Sequence, residues 1–126
     1  MNTTALAFLG DAVYELSVRR RVAGRGGSNA ADKLHRAAVR YVNAAAQAKA
    51  MRGLAEKGIL SEKELDLVRK ARNRKPKSVP KNTDPVDYKL ATAFEALIGY
   101  HYIEGDSDRA EELAEFAIRV IDGDRK

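Results

Sequence analysis

Apolar residues recur along this chain with a helical period, and strand-like alternation is missing. In the first segment Leu6, Leu9, Val13 and Leu16 follow i, i+3, i+7, i+10 and predict the inward face of a helix. Asp11 and Glu15, one turn apart, fall on the opposite side. Phe8 also falls toward that polar side, and a second subunit covering it explains the aromatic better than simple exposure does. Gly24, Gly26 and Gly27 then end the helix in a loop.

Further helices follow from their caps. Asn29 is placed to cap a second helix with Leu34, Ala38, Tyr41 and Val42 inward, and Asn43 to cap an alanine-rich third running to Gly58. Ser61 with Glu64 makes a capping box for a fourth, through Leu65, Leu67 and Val68 to about Arg72. Residues 73–84 read as a loop, because Pro76, Pro80, Asn82 and Pro85 interrupt any helix. Asp84 caps a fifth helix, with Pro85 at its first position and Asp87 in its first turn, reaching Gly105. Asp106 or Ser107 starts the last, with Leu113, Phe116, Ala117 and Val120 inward. No repeat or boundary divides the chain. The expectation is an all-α single domain over residues 1–126, of about six helices, large enough for one core without staples.

Charge adds a partner class. The formal net charge is +5, which favours a polyanion. Between residues 69 and 81 lie Arg69, Lys70, Arg72, Arg74, Lys75, Lys77 and Lys81 with no acid among them. A second cluster is Arg19, Arg20, Arg21 and Arg25, whereas residues 104–115 are mostly acidic. This asymmetry suggests one face for phosphates; the plainer alternative is a solvated loop without a partner. The chain has no cysteine, so disulfides and thiolate metal sites are excluded, and its two histidines argue against a His-rich zinc site. No run approaches a membrane span and no signal-peptide pattern opens the chain, so a cytoplasmic protein without a membrane partner is expected.

Two carboxylates stand out. Asp11 lies within Phe8-Leu9-Gly10-Asp11-Ala12-Val13, and Glu95 is the only formally charged side chain between Leu90 and Ile103. An unpaired buried carboxylate is expensive, so such an acid usually has a cation as partner. Two of them, distant in sequence but able to meet in space, suggest a hard-metal site; the plainer reading is a local cap or an ion pair.

The same residues carry a family resemblance. Leu6-Ala7-Phe8-Leu9-Gly10-Asp11-Ala12-Val13-Tyr14-Glu15 resembles the hallmark of the ribonuclease III catalytic domain. Thr92-Ala93-Phe94-Glu95-Ala96-Leu97-Ile98-Gly99 resembles its second acidic motif, in the right order and at a fitting separation. The wider family carries four acids, and here three expected positions hold Thr4, Ala7 and Thr92. That reduced set resembles the Mini-III branch, a catalytic domain without the double-stranded-RNA-binding domain. So do Tyr14-Glu15, Leu34-His35-Arg36, residues 41–48 and Pro80-Lys81-Asn82-Thr83-Asp84.

The resemblance implies a ribonuclease III-type fold and a Mg²⁺-dependent endoribonuclease that hydrolyses double-stranded RNA. Asp11 and Glu95 are then its catalytic and metal-binding residues. Such hydrolysis needs an activated water and neutralisation of charge building on the phosphate, which Mg²⁺ ions supply. Arg69, Arg72, Arg74, Lys75, Lys77 and Lys81 would hold RNA phosphates, since duplex RNA is read mainly through its backbone. Phe8 would lie in a homodimer interface whose two sites cut opposite strands. The implied substrate is the 23S rRNA precursor, with a ribosomal protein as a candidate partner.

Other residues carry less. Glu15 is expected to pair with Arg19 rather than hold a metal-bound water. Thr92 either places a hydroxyl near the metal or is a plain exposed threonine. His35 has no catalytic partner in view; His101, Tyr88, Tyr100 and Tyr102 read as structural. The rival function is a non-catalytic or weakly catalytic RNA-binding module that assists ribosomal RNA folding or assembly. Both readings need the basic run, but only the enzyme needs Asp11 beside Glu95. A DNA-binding domain is weaker, because no recognition helix stands out.

Overall fold

Five of the six helices begin where a side chain accepts from their free N–H groups. The computed structural model describes residues 1–25, 30–76 and 78–123. Asn2 accepts from the Ala5 amide at 2.8 Å and opens α1, Thr3–Gly24. Asn43 joins α2, Ala31–Val42, to α3, Ala44–Glu56: its amide donates to the Val39 carbonyl at 3.0 Å and its carbonyl accepts from the Ala46 amide at 2.8 Å. Ser61 and Glu64 form the expected capping box of α4, Glu62–Asn73. Asp84 caps α5, Pro85–Ile103, and Asp106 caps α6, Ser107–Asp122. Asn29, expected to cap α2, and Gly26 and Gly27 lie outside the described residues; Ala30 stands at the N-cap. Among the described residues there is no strand, and no helix is long and apolar enough to cross a membrane.

The centre of the domain is α5, which packs against α1, α3, α4 and α6. A helix surrounded in this way must be apolar on all sides, which is why Leu90 to Ile103 holds a single charge. Phe94 and Tyr14 meet edge to face at 4.8 Å in the core, and the Tyr14 hydroxyl donates to the Tyr41 carbonyl at 3.1 Å.

The inward face of α1 differs from the expectation. Leu6 and Val13 only flank the core and Leu16 is 62% exposed, while Ala7, Gly10, Tyr14, Ser17, Val18 and Val22 are buried. The buried face is displaced by one residue, about 100° of helix. Close approach to α5 selects the small side chains at the contact, so counting large apolar residues points to the flank. In α6 the expected Leu113 and Ala117 are buried; Phe116 and Val120 sit at the edge, and Ala110, Ala114, Ile118 and Ile121 complete the face.

A buried ion cluster fastens α4, α5 and α6. Arg109 donates to both Glu64 oxygens, at 2.7 and 2.9 Å, and to the Ile59 carbonyl at 2.9 Å. His101 Nε2 lies 2.6 Å from the same carboxylate, which gives that histidine its structural role. Burial pushes the Glu64 carboxyl up, but bonds from Arg109, the Ser61 amide and His101 outweigh it and hold the group at about 2. Removing one partner leaves a buried charge uncompensated, so Arg109→Ala should cost about 3–5 kcal/mol in urea unfolding at pH 7. The folded pKa is depressed, so this stability is present above the ordinary value of 4.5 and lost as pH falls toward 2. The variant should therefore lose less stability than wild type over that range; a parallel pH profile would exclude Glu64 as the source.

Candidate active site

The site is made by backbone contact between two glycines. Gly10 on α1 and Gly99 on α5 face each other where the helices cross. A Cβ on Gly10 would overlap the Glu95 carbonyl oxygen and come within 2.8 Å of the Gly99 amide nitrogen. One on Gly99 would overlap the Leu6 carbonyl oxygen and come within 3.0 Å of the Gly10 nitrogen. Asp11 follows Gly10 directly, and Glu95 lies one turn before Gly99. The crossing therefore sets Asp11 within hydrogen-bonding reach of Glu95. The glycines were present in both motifs, yet their close approach was not inferred; the spacing of Ala7 with Gly10 and of Ala96 with Gly99 was the available signal.

Glu95 is half-buried while Asp11 is exposed. Burial, then the hydrogen bond and negative charge of Asp11, push the Glu95 carboxyl up to about 8, against a smaller opposing effect of Gln47. Among the described residues no cationic side chain forms an ion pair with Glu95; the neighbours that shift its carboxyl are Asp11 and Gln47. Glu15, by contrast, pairs with Arg19 at 3.1 Å as expected.

An open cleft of about 620 Å³ leads to the two acids. Asp11, Thr92 and Glu95 line it together with Arg74, Lys75 and Lys89. Arg74 donates to the hydroxyl of Thr4, at a position where the wider resemblance expects an acid. A shallow groove lined by Arg72, Lys75, Val86 and Lys89 continues from the cleft. Lys89, which sequence reasoning passed over, belongs to both. Tyr88 lines the cleft and Tyr102 is 51% exposed, so neither is a core residue.

The remaining basic residues divide. Arg69 lies on α4 and pairs with Asp66, as does Lys70, and it does not line the cleft. Lys81 is exposed in the turn before α5, and Lys77 lies outside the described residues. The Arg19–Arg25 cluster is not a phosphate face. Arg20 and Arg21 pair with Glu111 and Glu115 at 2.8 Å each, and Arg25 lies 3.7 Å from Asp122. The acidic stretch near the end of the chain thus neutralises the arginines near its start.

The ribonuclease III domain model matches residues 4–106. The chain belongs to the ribonuclease III family. Relatives named Mini-ribonuclease 3 extend the match: one from Symbiobacterium thermophilum is 45% identical, covering 93% of this chain and 88% of the relative. Another from Brevibacillus brevis is 44% identical, covering 98% and 90%. A crystal structure of a Fusobacterium nucleatum protein superposes with a TM-score of 0.81 at 28% identity, covering 94% and 93%. As a ribonuclease III family member the chain is an endoribonuclease.

Within this ribonuclease III domain the donor set suits a hard divalent cation. Two carboxylates are forced together in a partly dry place, and a cation between them would relieve both the repulsion and the burial. Among the described residues no group of three or more His, Cys, Asp or Glu gathers, so a closed zinc-type cage does not fit. Mg²⁺, which keeps several waters and needs only one or two carboxylates, does.

Proposed function

We propose that this ribonuclease III family member is a Mg²⁺-dependent, homodimeric endonuclease of double-stranded RNA. It would act in the cytoplasm on the ends of the 23S rRNA precursor, in keeping with the Mini-III resemblance. The observation that carries the catalytic part is the unneutralised Asp11–Glu95 pair at one end of a cleft lined by Arg74, Lys75 and Lys89. A passive RNA-binding module needs the cations and gains nothing from two carboxylates, which repel phosphate.

The residues divide the work by charge and position. Arg74, Lys75 and Lys89 hold the backbone phosphates of the duplex and bring one to the acids. Asp11 and Glu95, each on a helix and locked by the glycine crossing, would hold the cation. Bound there, Mg²⁺ supplies Lewis-acid neutralisation of the phosphate and an acidified water for attack. Thr92 adds a hydroxyl at the cleft wall. The direct test incubates end-labelled duplex RNA with the protein in Mg²⁺ or in EDTA. Paired cuts only with Mg²⁺ support the reading, and tight binding without cuts under both conditions favours the module.

Changing Arg74, Lys75 and Lys89 to Ser should raise KM more than it lowers kcat, because these contacts hold substrate and transition state alike. The salt slope of RNA binding should flatten by roughly one unit per lost phosphate contact. Equal slopes for variant and wild type would take the cleft out of RNA binding.

Dimerisation rests on the outer side of α1. Phe8 is 80% and Leu16 62% exposed, and with Ala12 they form one i, i+4, i+8 ridge beside Asp11. A second copy seated on this ridge would bury it next to the acids. Light scattering should give twice the 13.9 kDa monomer mass at micromolar concentration, and Phe8→Glu should halve it. A Phe8→Glu protein that stays dimeric would move the interface elsewhere.

A further inference from the structure

One hydrogen bond among the described residues joins the start of α1 to the end of α4: Nη1 of Arg74 donates to the hydroxyl of Thr4, 70 positions away in the chain. Both residues line the cleft that leads to Asp11 and Glu95. Arg74 stands at the C-cap of α4, where the backbone turns extended. Both residues are exposed, so the bond contributes little to holding the fold together.

Its importance lies in what it leaves free. A guanidinium carries five N–H donors in one plane. With Nη1 on Thr4, the Nε–Nη2 edge makes no hydrogen bond among the described residues, and such an edge can take two oxygens of one phosphate. Arg74 has no carboxylate partner among the described residues either, whereas Arg69 on α4 is spent on Asp66. The acceptor suits this purpose. A threonine hydroxyl is neutral, so it fixes the guanidinium without cancelling its charge, and a β-branched side chain has few χ1 choices. A carboxylate at the same place would hold Arg74 as well and neutralise it.

We propose that Thr4 is a positioning residue for RNA binding, whose hydroxyl holds the Arg74 guanidinium in the cleft with its Nε–Nη2 edge free for a backbone phosphate of the duplex. The inference rests on the reading of Arg74 as a phosphate contact. It gives Thr4 an effect on affinity that is exerted through Arg74.

The test is equilibrium binding of a labelled RNA duplex in EDTA at several salt concentrations. It compares wild type, Thr4→Val, Thr4→Ser, Arg74→Ser and the double variant Thr4→Val with Arg74→Ser. Thr4→Val keeps the shape and removes the hydroxyl. It should raise Kd about 2–10-fold, the penalty for ordering one long side chain on binding, with Tm unchanged. Its salt slope should match wild type because the charge remains, whereas Arg74→Ser should flatten the slope by roughly one unit. Thr4→Ser should bind as wild type does. Without Arg74, Thr4→Val should change nothing further, because the two residues act through one contact. A Thr4→Val protein with lower Tm and unchanged Kd, or one whose Kd rises equally with and without Arg74, would overturn the proposal. If Arg74→Ser raises Kd and flattens the slope while Thr4→Val binds as wild type, the inference fails and the phosphate reading stands. If Arg74→Ser has neither effect, that reading fails and takes the inference with it.

Discussion

Asp11→Asn is expected to lower kcat on duplex RNA by at least about a thousandfold, close to 4 kcal/mol at about 1.4 kcal/mol per tenfold. The swap keeps size and polarity and removes only the charge that, in the proposed site, would share a cation with Glu95. RNA binding should stay near wild type, since the phosphate contacts proposed above fall to Arg74, Lys75 and Lys89 on the cleft wall. Glu95→Gln should lose cleavage to the same degree, and the double variant should lose no more, because both substitutions disable one site. The two differ in stability. Glu95 is raised in the fold from 4.5 to about 8, so the metal-free protein loses stability as pH climbs through that interval. Glu95→Gln removes the penalty and should unfold later than wild type in EDTA at pH 9, by about 1–3 kcal/mol, with the gap closing below pH 4.5. Cleavage by Asp11→Asn within tenfold of wild type would sink the assignment. A Glu95→Gln protein less stable than wild type at pH 9 would show that the acids do not strain the fold.

The second large effect needs only one methyl group. Gly10→Ala should destabilise the domain by about 3 kcal/mol, the upper end of overpacking costs, because the obstruction is backbone and cannot rotate away. Whatever remains folded should cleave poorly, since α1 must move off α5 and carry Asp11 away from Glu95. A displacement of about 1 Å at a catalytic group is enough for a hundredfold loss. Gly99→Ala should repeat the effect from the other helix. Gly24→Ala is the control: nothing lies within 4 Å of a Cβ there, so it should be neutral or stabilising by up to about 1 kcal/mol. Urea unfolding and cleavage on the same preparations decide it. Gly10→Ala unfolding within 1 kcal/mol of wild type would mean that the crossing is looser than the geometry requires.

The electrostatics carry a related lesson. Two basic clusters stand out in the chain, at residues 19–25 and 69–81, and the second was the one expected to hold phosphate. Only the second reaches the cleft, through Arg74 and Lys75, and it is joined there by Lys89 from a helix start that reads as ordinary. Folding lays α6 along α1 and cancels the first cluster with Glu111, Glu115 and Asp122. Net charge survives folding; its distribution does not.

What the sequence determined by itself was local. Asn43, the Ser61–Glu64 box, Asp84 with Pro85, and Asp106 located four helix starts, because a cap satisfies N–H groups within three residues of itself. The apolar run around Glu95 set that acid apart in the chain, and the structure supplies the reason: α5 is packed by four other helices and can expose no polar stripe. The two motifs named both acids and, by resemblance, the family. Tertiary structure alone decided which face of α1 is buried, that Gly10 meets Gly99 backbone to backbone, and which arginines are paired with acids and which line the cleft. Those are distances between residues tens of positions apart, set by how closely two helices can approach. Periodicity records which residues share a face of one helix and carries no information about the helix that face will meet.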